Sequence, residues 1–187
     1  MMICLAVTAI VALTAGVALA KTINGTAKND TLNGTPNADR ISGRAGNDYI
    51  EGRNGSDTLV GGAGNDTLTG NRGDDTAYGL DGNDTLTANR AVGGEGRDEL
   101  VGDEMIGGNG DDRIGYTVLR MPDPVALLAS GGGGNDTINV LEHPYDISNG
   151  KDTPDTARCG AGDDDRVKAN PDDKVANDCE TVKIIEQ

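Results

Sequence analysis

The 187-residue chain has no tryptophan and no phenylalanine, only four tyrosines and a single histidine. Without large rings, an aromatic-lined ligand pocket cannot be assembled. His143, beside Pro144, reads as a plain surface residue, and with one histidine the usual catalytic triads lack their parts. HExxH and GxSxG motifs are missing as well. Gly150-Lys151-Asp152 is no P-loop, since Tyr145 stands where the first glycine belongs and Asp152 where Ser or Thr belongs. No twelve-residue stretch carries an EF-hand ladder. Basic charge is short too, with 16 Lys and Arg against 31 Asp and Glu and a net charge of −15. A nucleic-acid partner needs a basic surface and is excluded, whereas cation binding suits this composition. The expectation is a protein that is not an enzyme.

Residues 1–20 contain no charged side chain and end in Ala18-Leu19-Ala20 before Lys21. An apolar stretch closing on a small-x-small site reads as a secretory signal cleaved after Ala20, so the protein is expected to be secreted and extracellular. The same stretch is just long enough to remain as an uncleaved membrane anchor.

What the chain has in abundance is periodic. Seven aspartates stand nine residues apart: Asp30, Asp39, Asp48, Asp57, Asp66, Asp75 and Asp84. Five residues before each is a glycine, from Gly25 to Gly79. Two residues before it comes glycine in five of the seven, at Gly46, Gly55, Gly64, Gly73 and Gly82, with Lys28 and Asn37 as exceptions. Two residues after it comes an apolar side chain: Leu32, Ile41, Ile50, Leu59, Leu68, Ala77 and Leu86. The Asn-x-Thr triplets at Asn65 and Asn83 follow from this repeat and carry no message about glycosylation.

Glycine supplies the positive φ and close backbone approach that a tight turn demands. Each nonad thus reads as a six-residue turn and a three-residue strand whose central apolar residue points inward. Strands that all show one apolar residue to the same side close into a solenoid, two nonads to a coil of eighteen residues. Leu32, Ile50, Leu68 and Leu86 line one wall; Ile41, Leu59 and Ala77 face them. One side chain per strand is a thin core against a backbone entropy of about 1–2 kcal/mol per residue. Stacking puts Asp30 by Asp48, Asp39 by Asp57, Asp48 by Asp66, Asp57 by Asp75 and Asp66 by Asp84, a repulsive ladder unless a cation lies between them. Calcium takes six to eight oxygen ligands, carboxylate and carbonyl together, and glycine turns expose carbonyls.

The unit GGAGNDTLT at 61–69 resembles the GGxGxDxUx nonapeptide of the repeats-in-toxin (RTX), or haemolysin-type, calcium-binding family. That resemblance implies several Ca²⁺ ions held between turns of neighbouring coils by the motif aspartates and main-chain oxygens. Larger members carry a catalytic or pore-forming domain, which has no counterpart here, so no such activity is transferred.

After Asp84 the matches GGEGRDEL and GGNGDDRI place Asp98 and Asp112 fourteen residues apart. The extra five residues, ending at Val92 and Ile106, read as lengthened corners. Residues 115–130 leave the pattern, with a strand expected at 116–121 and a turn at Pro122-Asp123-Pro124 leading into a short helix; they pack over the solenoid or dock a partner. The repeat returns with Asp136 and Ile138, and 139–158 read as loop. In the last segment Gly-Ala-Gly-Asp-Asp copies the turn, but Arg166 falls where the apolar residue belongs and Val167 one late. Cys159 and Cys179 are the two cysteines left after signal removal, and an even count favours one disulfide. A metal site on the cysteine pair is the alternative, short of the four ligands zinc wants. Similar cysteine-bracketed tails in the family imply a cap over the solenoid's last edge.

The fold class expected is all-β: a right-handed parallel β-roll (β-solenoid) at 21–140, a loop at 141–158 and a disulfide-closed cap at 159–187. The function expected is calcium binding by Asp30, Asp39, Asp48, Asp57, Asp66, Asp75, Asp84, Asp98, Asp112 and Asp136, in a monomer that is disordered without the metal. Two further readings are an accessory or adhesion module with a protein or cell-surface partner at 115–130, and an ice-binding face of Thr67, Thr69, Thr85 and Thr87, interrupted by Tyr49 and Glu51.

Overall fold

The computed structural model describes residues 20–115, 128–140, 155–169, 171 and 173–184. The expected signal segment to residue 19, the expected strand and helix at 116–127, and the part of the expected loop at 141–154, with His143, lie outside them.

Single inward residues stacked one coil above another yield two parallel walls of nine strands each. The first wall consists of β1 (Thr22–Asn24), β3 (Arg40–Ala45), β5 (Thr58–Ala63), β7 (Thr76–Asp81), β9 (Arg90–Glu95), β11 (Glu104–Asn109), β13 (Leu128–Gly133), β15 (Thr156–Ala161) and β17 (Lys174–Val175). The second consists of β2 (Thr31–Asn33), β4 (Tyr49–Asn54), β6 (Thr67–Arg72), β8 (Thr85–Thr87), β10 (Glu99–Val101), β12 (Arg113–Gly115), β14 (Thr137–Asn139), β16 (Arg166–Ala169) and β18 (Thr181–Ile184). There is no helix among the described residues. The protein is an all-β parallel solenoid.

The core is two ladders. Ile41, Leu59, Ala77, Ala91, Met105, Ala129 and Ala157 face Ile50, Leu68, Leu86, Leu100, Ile114, Ile138 and Val167, all buried. Pairing in strict register, Ile50 on Leu68 on Leu86, keeps each ladder vertical, because a slip of one residue would turn the whole set outward. Most strands of the first wall run six residues rather than three. They extend through the next turn's first glycine, whose missing side chain lets the ladder continue.

Three expectations are corrected. The two coils directly after Asp84 are shortened, not lengthened: Thr85 pairs with Glu99 and Thr76 with Arg90, an advance of fourteen residues where earlier coils advance eighteen. A corner of only Ala88 and Asn89 joins β8 to β9 in place of a six-residue turn. Alternation along β9 and β11 then sends Ala91 and Met105 inward and leaves Val92 and Ile106 on the outer face. Secondly, the segment read as loop at 139–158 includes solenoid at both ends, since Asn139 closes β14, Val140 is buried, Asp155 is buried and 156–158 open β15. Gly115 and 128–130 likewise belong to β12 and β13 rather than to the excursion. Thirdly, the cap keeps the register: Val167 pairs with Ile138, so Asp165 takes the motif place and the turn before it holds one extra residue.

Candidate metal centre

Two edges join the walls. On the first edge, turns such as 43–48 lead from the first wall to the second; on the second edge, turns such as 52–57 lead back. Each motif aspartate from Asp30 to Asp136 closes a turn one residue before a strand begins, and its Oδ2 lies beside the first glycine of the turn it ends.

The fourth position of the turn shows why glycine stands there. Gly46 has φ 106°, and a Cβ on it would lie 2.5 Å from the carbonyl carbon of Lys28 and 2.7 Å from the nitrogen of Asn29, backbone of the coil before. Gly55, Gly64, Gly73 and Gly82 repeat the contact and the positive φ. Lys28 and Asn37 tolerate a side chain because they lie in the first coil, with none before it among the described residues.

From Asp48 onward the carboxylates are at most 3 % exposed. One oxygen is occupied: Oδ1 of Asp66 accepts the N–H of Asp48 at 2.7 Å, and Oδ1 of Asp84 that of Asp66 at 2.8 Å. The series continues from Asp84 to Asp98 at 2.8 Å, Asp98 to Asp112 at 2.9 Å, Asp112 to Asp136 at 2.9 Å and Asp136 to Asp165 at 2.7 Å. The second edge has the same bond from Asp39 to Asp57 and from Asp57 to Asp75.

The other oxygen is orphaned. Oδ2 of Asp48, Asp57, Asp66, Asp75, Asp84, Asp98, Asp112, Asp136 and Asp165 is buried with no hydrogen-bond partner. Buried unpaired polar atoms cost about 1–3 kcal/mol each, and more when charged. A whole row of them in a chain with so thin a core points to a missing counter-group. From Asp48 to Asp136 the first glycine of each motif turn forms a cradle beside that oxygen. A Cβ on Gly93 would meet Asp98 Oδ2 and lie 2.6 Å from the Gly107 carbonyl oxygen of the next coil. Carboxylate and carbonyl oxygens converge there without nitrogen or sulfur, a donor set suited to a hard cation.

Electrostatics agree. Burial pushes the carboxyls of Asp66, Asp84 and Asp98 up to about 6, against a partial offset from the N–H each accepts. Asp112 is pushed to about 7, by burial and then by the charges of Asp98, Asp136 and Asp111. A cation is the group that would return these carboxylates to their charged form.

Against this geometry, the chain matches the family model of the RTX calcium-binding nonapeptide repeat, in four copies, over residues 22–50, 51–86 and 129–140. These are RTX calcium-binding repeats. No curated protein and no solved structure matches the chain significantly.

The RTX roll differs from a uniform array at three places. In its first coil the carboxylates are satisfied from within: Asp30 Oδ2 accepts the Thr26 N–H at 2.6 Å and the Thr26 hydroxyl at 2.8 Å, and Asp39 Oδ2 accepts the Thr35 N–H at 2.5 Å. Burial raises the Asp39 carboxyl, but the donors Thr35 and Lys21 outweigh it and hold it below its ordinary value. On the second edge Asn89 takes the place of the next aspartate. Its Oδ1 accepts the Asp75 N–H at 3.0 Å, while its Nδ2 donates to Asp103 Oδ2 at 3.1 Å. An amide donor thus stands where the other turns leave an oxygen orphaned.

At the end of the roll, Cys159 stands in register with Gly131, the first glycine of the coil before. Its bond to Cys179 joins consecutive coils, Cα to Cα 5.2 Å, and both sulfurs are consumed, so the cysteine-pair metal site is ruled out. Asp178, near both, accepts the N–H of Cys159 and of Gly160. Glu180 continues the aspartate column, its Oε2 accepting the Asp165 N–H at 3.0 Å.

Asp155 and Asp165 belong with the expected ligand residues and were missed in the sequence. Gly150 precedes Asp155 by five residues and Ala157 follows by two, so its columns held; Val167 follows Asp165 by two, but the extra residue in its turn leaves Cys159 where the first glycine belongs. Glu180 had no such signal, being neither aspartate nor nine residues from one; Asn89 stands nine before Asp98 with Ala91 two after it, but it is not aspartate and has Asp84 rather than glycine five before it.

Proposed function

We propose that the protein is an exported, non-catalytic calcium-binding module that folds when extracellular calcium enters its stacked turns. The observation that carries this is the row of buried carboxylate oxygens with no hydrogen-bond partner, Oδ2 of Asp48, Asp57, Asp66, Asp75, Asp84, Asp98, Asp112 and Asp136, each beside a glycine cradle. Asp48, Asp66, Asp84, Asp98, Asp112 and Asp136 would hold ions along the first edge, and Asp57 and Asp75 along the second, with turn carbonyls completing each shell. Bound calcium supplies the positive charge that lets like carboxylates stack. Export is supported by the uncharged leader ending in Ala18-Leu19-Ala20 and by a disulfide, which persists in oxidising compartments. A calcium titration followed by far-UV circular dichroism, with magnesium as control, tests the reading. A cooperative, calcium-specific gain of β signal is expected; a disordered spectrum throughout would sink it, and a full β signal before any calcium would remove the metal from folding.

A further inference from the structure

The calcium rows leave the two ends of the roll unexplained. β18 and β17 are the last strands of their walls, β2 and β1 the first. Val182 pairs with the core residue Val167, yet it is 43 % exposed, and Ile184 beside it is 47 % exposed. Ile23 and Leu32, the first members of the two core ladders, are only partly buried. Each end therefore displays the same two columns of side chains that are stacked in the interior.

The polar groups at the two ends are complementary in sense. After each motif residue the next N–H donates to the motif carbonyl of the coil before, as Tyr49 does to Asp30 at 2.9 Å and Thr181 to Asp165 at 3.0 Å. Among the described residues the Thr31 N–H is the donor of this series with no earlier coil, and the Glu180 carbonyl the acceptor with no later one. In the carboxylate ladder the senses are reversed and match again: the Glu180 N–H is the next donor, and Asp30 Oδ1 accepts no bond from a described residue. Charge is paired on the same edge. Lys28 lies two residues before Asp30, and Asp178 two before Glu180, both exposed.

We infer that a second copy of this chain docks end to end, β2 of one copy against β18 of the other, so that both walls continue from copy to copy. Thr31 N–H of the next copy meets the Glu180 carbonyl, Leu32 stacks on Val182, and Lys28 lies over Asp178. An unpaired parallel edge is a template for such a strand. Because the two surfaces differ, the contact is head to tail and does not close, giving linear assemblies rather than a fixed dimer. The net charge of −15 opposes approach at long range, so growth is promoted by calcium and by salt.

The test is sedimentation velocity of the purified protein in saturating calcium, from about 1 μM to about 1 mM, once circular dichroism shows the β fold. Progressive growth with concentration is expected. Val182→Asp and Thr31→Pro each block one end and should each be monomeric with an unchanged spectrum. Their equimolar mixture should form dimers and nothing longer, because each variant keeps one working end. Lys28→Glu, on an exposed side chain, should raise the concentration needed for growth about tenfold. A wild-type protein that stays monomeric, a closed dimer, or growth indifferent to all three changes would overturn the inference. A protein that never folds in calcium would fail at the spectroscopic step and count against the calcium reading instead.

Discussion

Asp84 donates its main-chain N–H to the carboxylate of Asp98 at 2.8 Å across fourteen residues, the same bond that Asp66 makes to Asp84 across eighteen. The first edge therefore keeps its geometry when the coil loses four residues, because all four come from the second edge. Ion-binding geometry on one side is insulated from the length of the other.

Asp98→Asn follows directly. The substitution removes a charge from the middle of the first-edge row, so the calcium concentration at half-folding should rise about tenfold, or about 1.4 kcal/mol. Asp39→Asn should shift it far less, since Thr35 already satisfies the second oxygen there. Calcium titrations of the two variants by circular dichroism compare them, and equal shifts would refute the distinction.

Acid should substitute in part for calcium. Burial raises the carboxyls of Asp66, Asp84 and Asp98 from 3.8 to about 6 and that of Asp112 to about 7, so the metal-free fold holds protons more tightly than the unfolded chain. That contribution is complete below pH 3.8 and is lost as pH climbs through about 6 and 7. Metal-free protein should show more β signal near pH 4.5 than near pH 7.5, and the calcium midpoint should rise as pH falls from about 7 to about 5.5. Spectra recorded at fixed ionic strength check both directions.

Four side chains sit where the repeat wants glycine. Arg44, Arg53, Asn71 and Leu80 have φ of 84°, 82°, 79° and 85°, whereas Gly62 and Gly94 occupy the same turn position in other coils. A left-handed conformation costs an ordinary side chain about 1–2 kcal/mol, of which glycine's larger unfolded entropy returns part. Leu80→Gly and Arg53→Gly should each stabilise the calcium-loaded roll by about 0.5–1 kcal/mol, measured by urea unfolding. Loss of stability in both would show that those side chains pack more usefully than their backbone strains.

Removing the disulfide with Cys159→Ser and Cys179→Ser should cost about 3 kcal/mol in the chain-entropy account. The loss is local in this fold. Amide exchange should quicken at Thr181 and Asp165, which bond across the last coils, while Thr67 and Thr85 keep their protection in calcium. Uniform loss along the roll would mean that the cap holds the whole solenoid rather than its end.

Much of this was legible because one column of residues does one job. The apolar residue two places after each aspartate fixed both walls, and the pairing Leu32, Ile50, Leu68 appears as expected. The fourteen-residue spacing was legible as a number but not in its sense. A gain of five residues on a nonad and a loss of four on a coil print the same sequence, and only the pairing of Thr76 with Arg90 decides between them. Asp165 was hidden by one extra residue in its turn, and Asp155 by Pro154, which suggested a loop just where the strand resumes. The internal satisfaction of Asp30 and Asp39 rests on Thr26 and Thr35, four residues before each, a place that the glycine, aspartate and apolar columns of the repeat leave open.

Asn89 has a consequence for how the roll comes apart. Between Asp75 and Asp103 the second edge is laced by a carboxamide that no chelator can extract. In the proposed calcium-driven folding this stretch of the second edge would be joined by protein atoms alone, and the first edge beside it, where Asp84 and Asp98 each leave Oδ2 unpartnered, would be the one that depends on a cation.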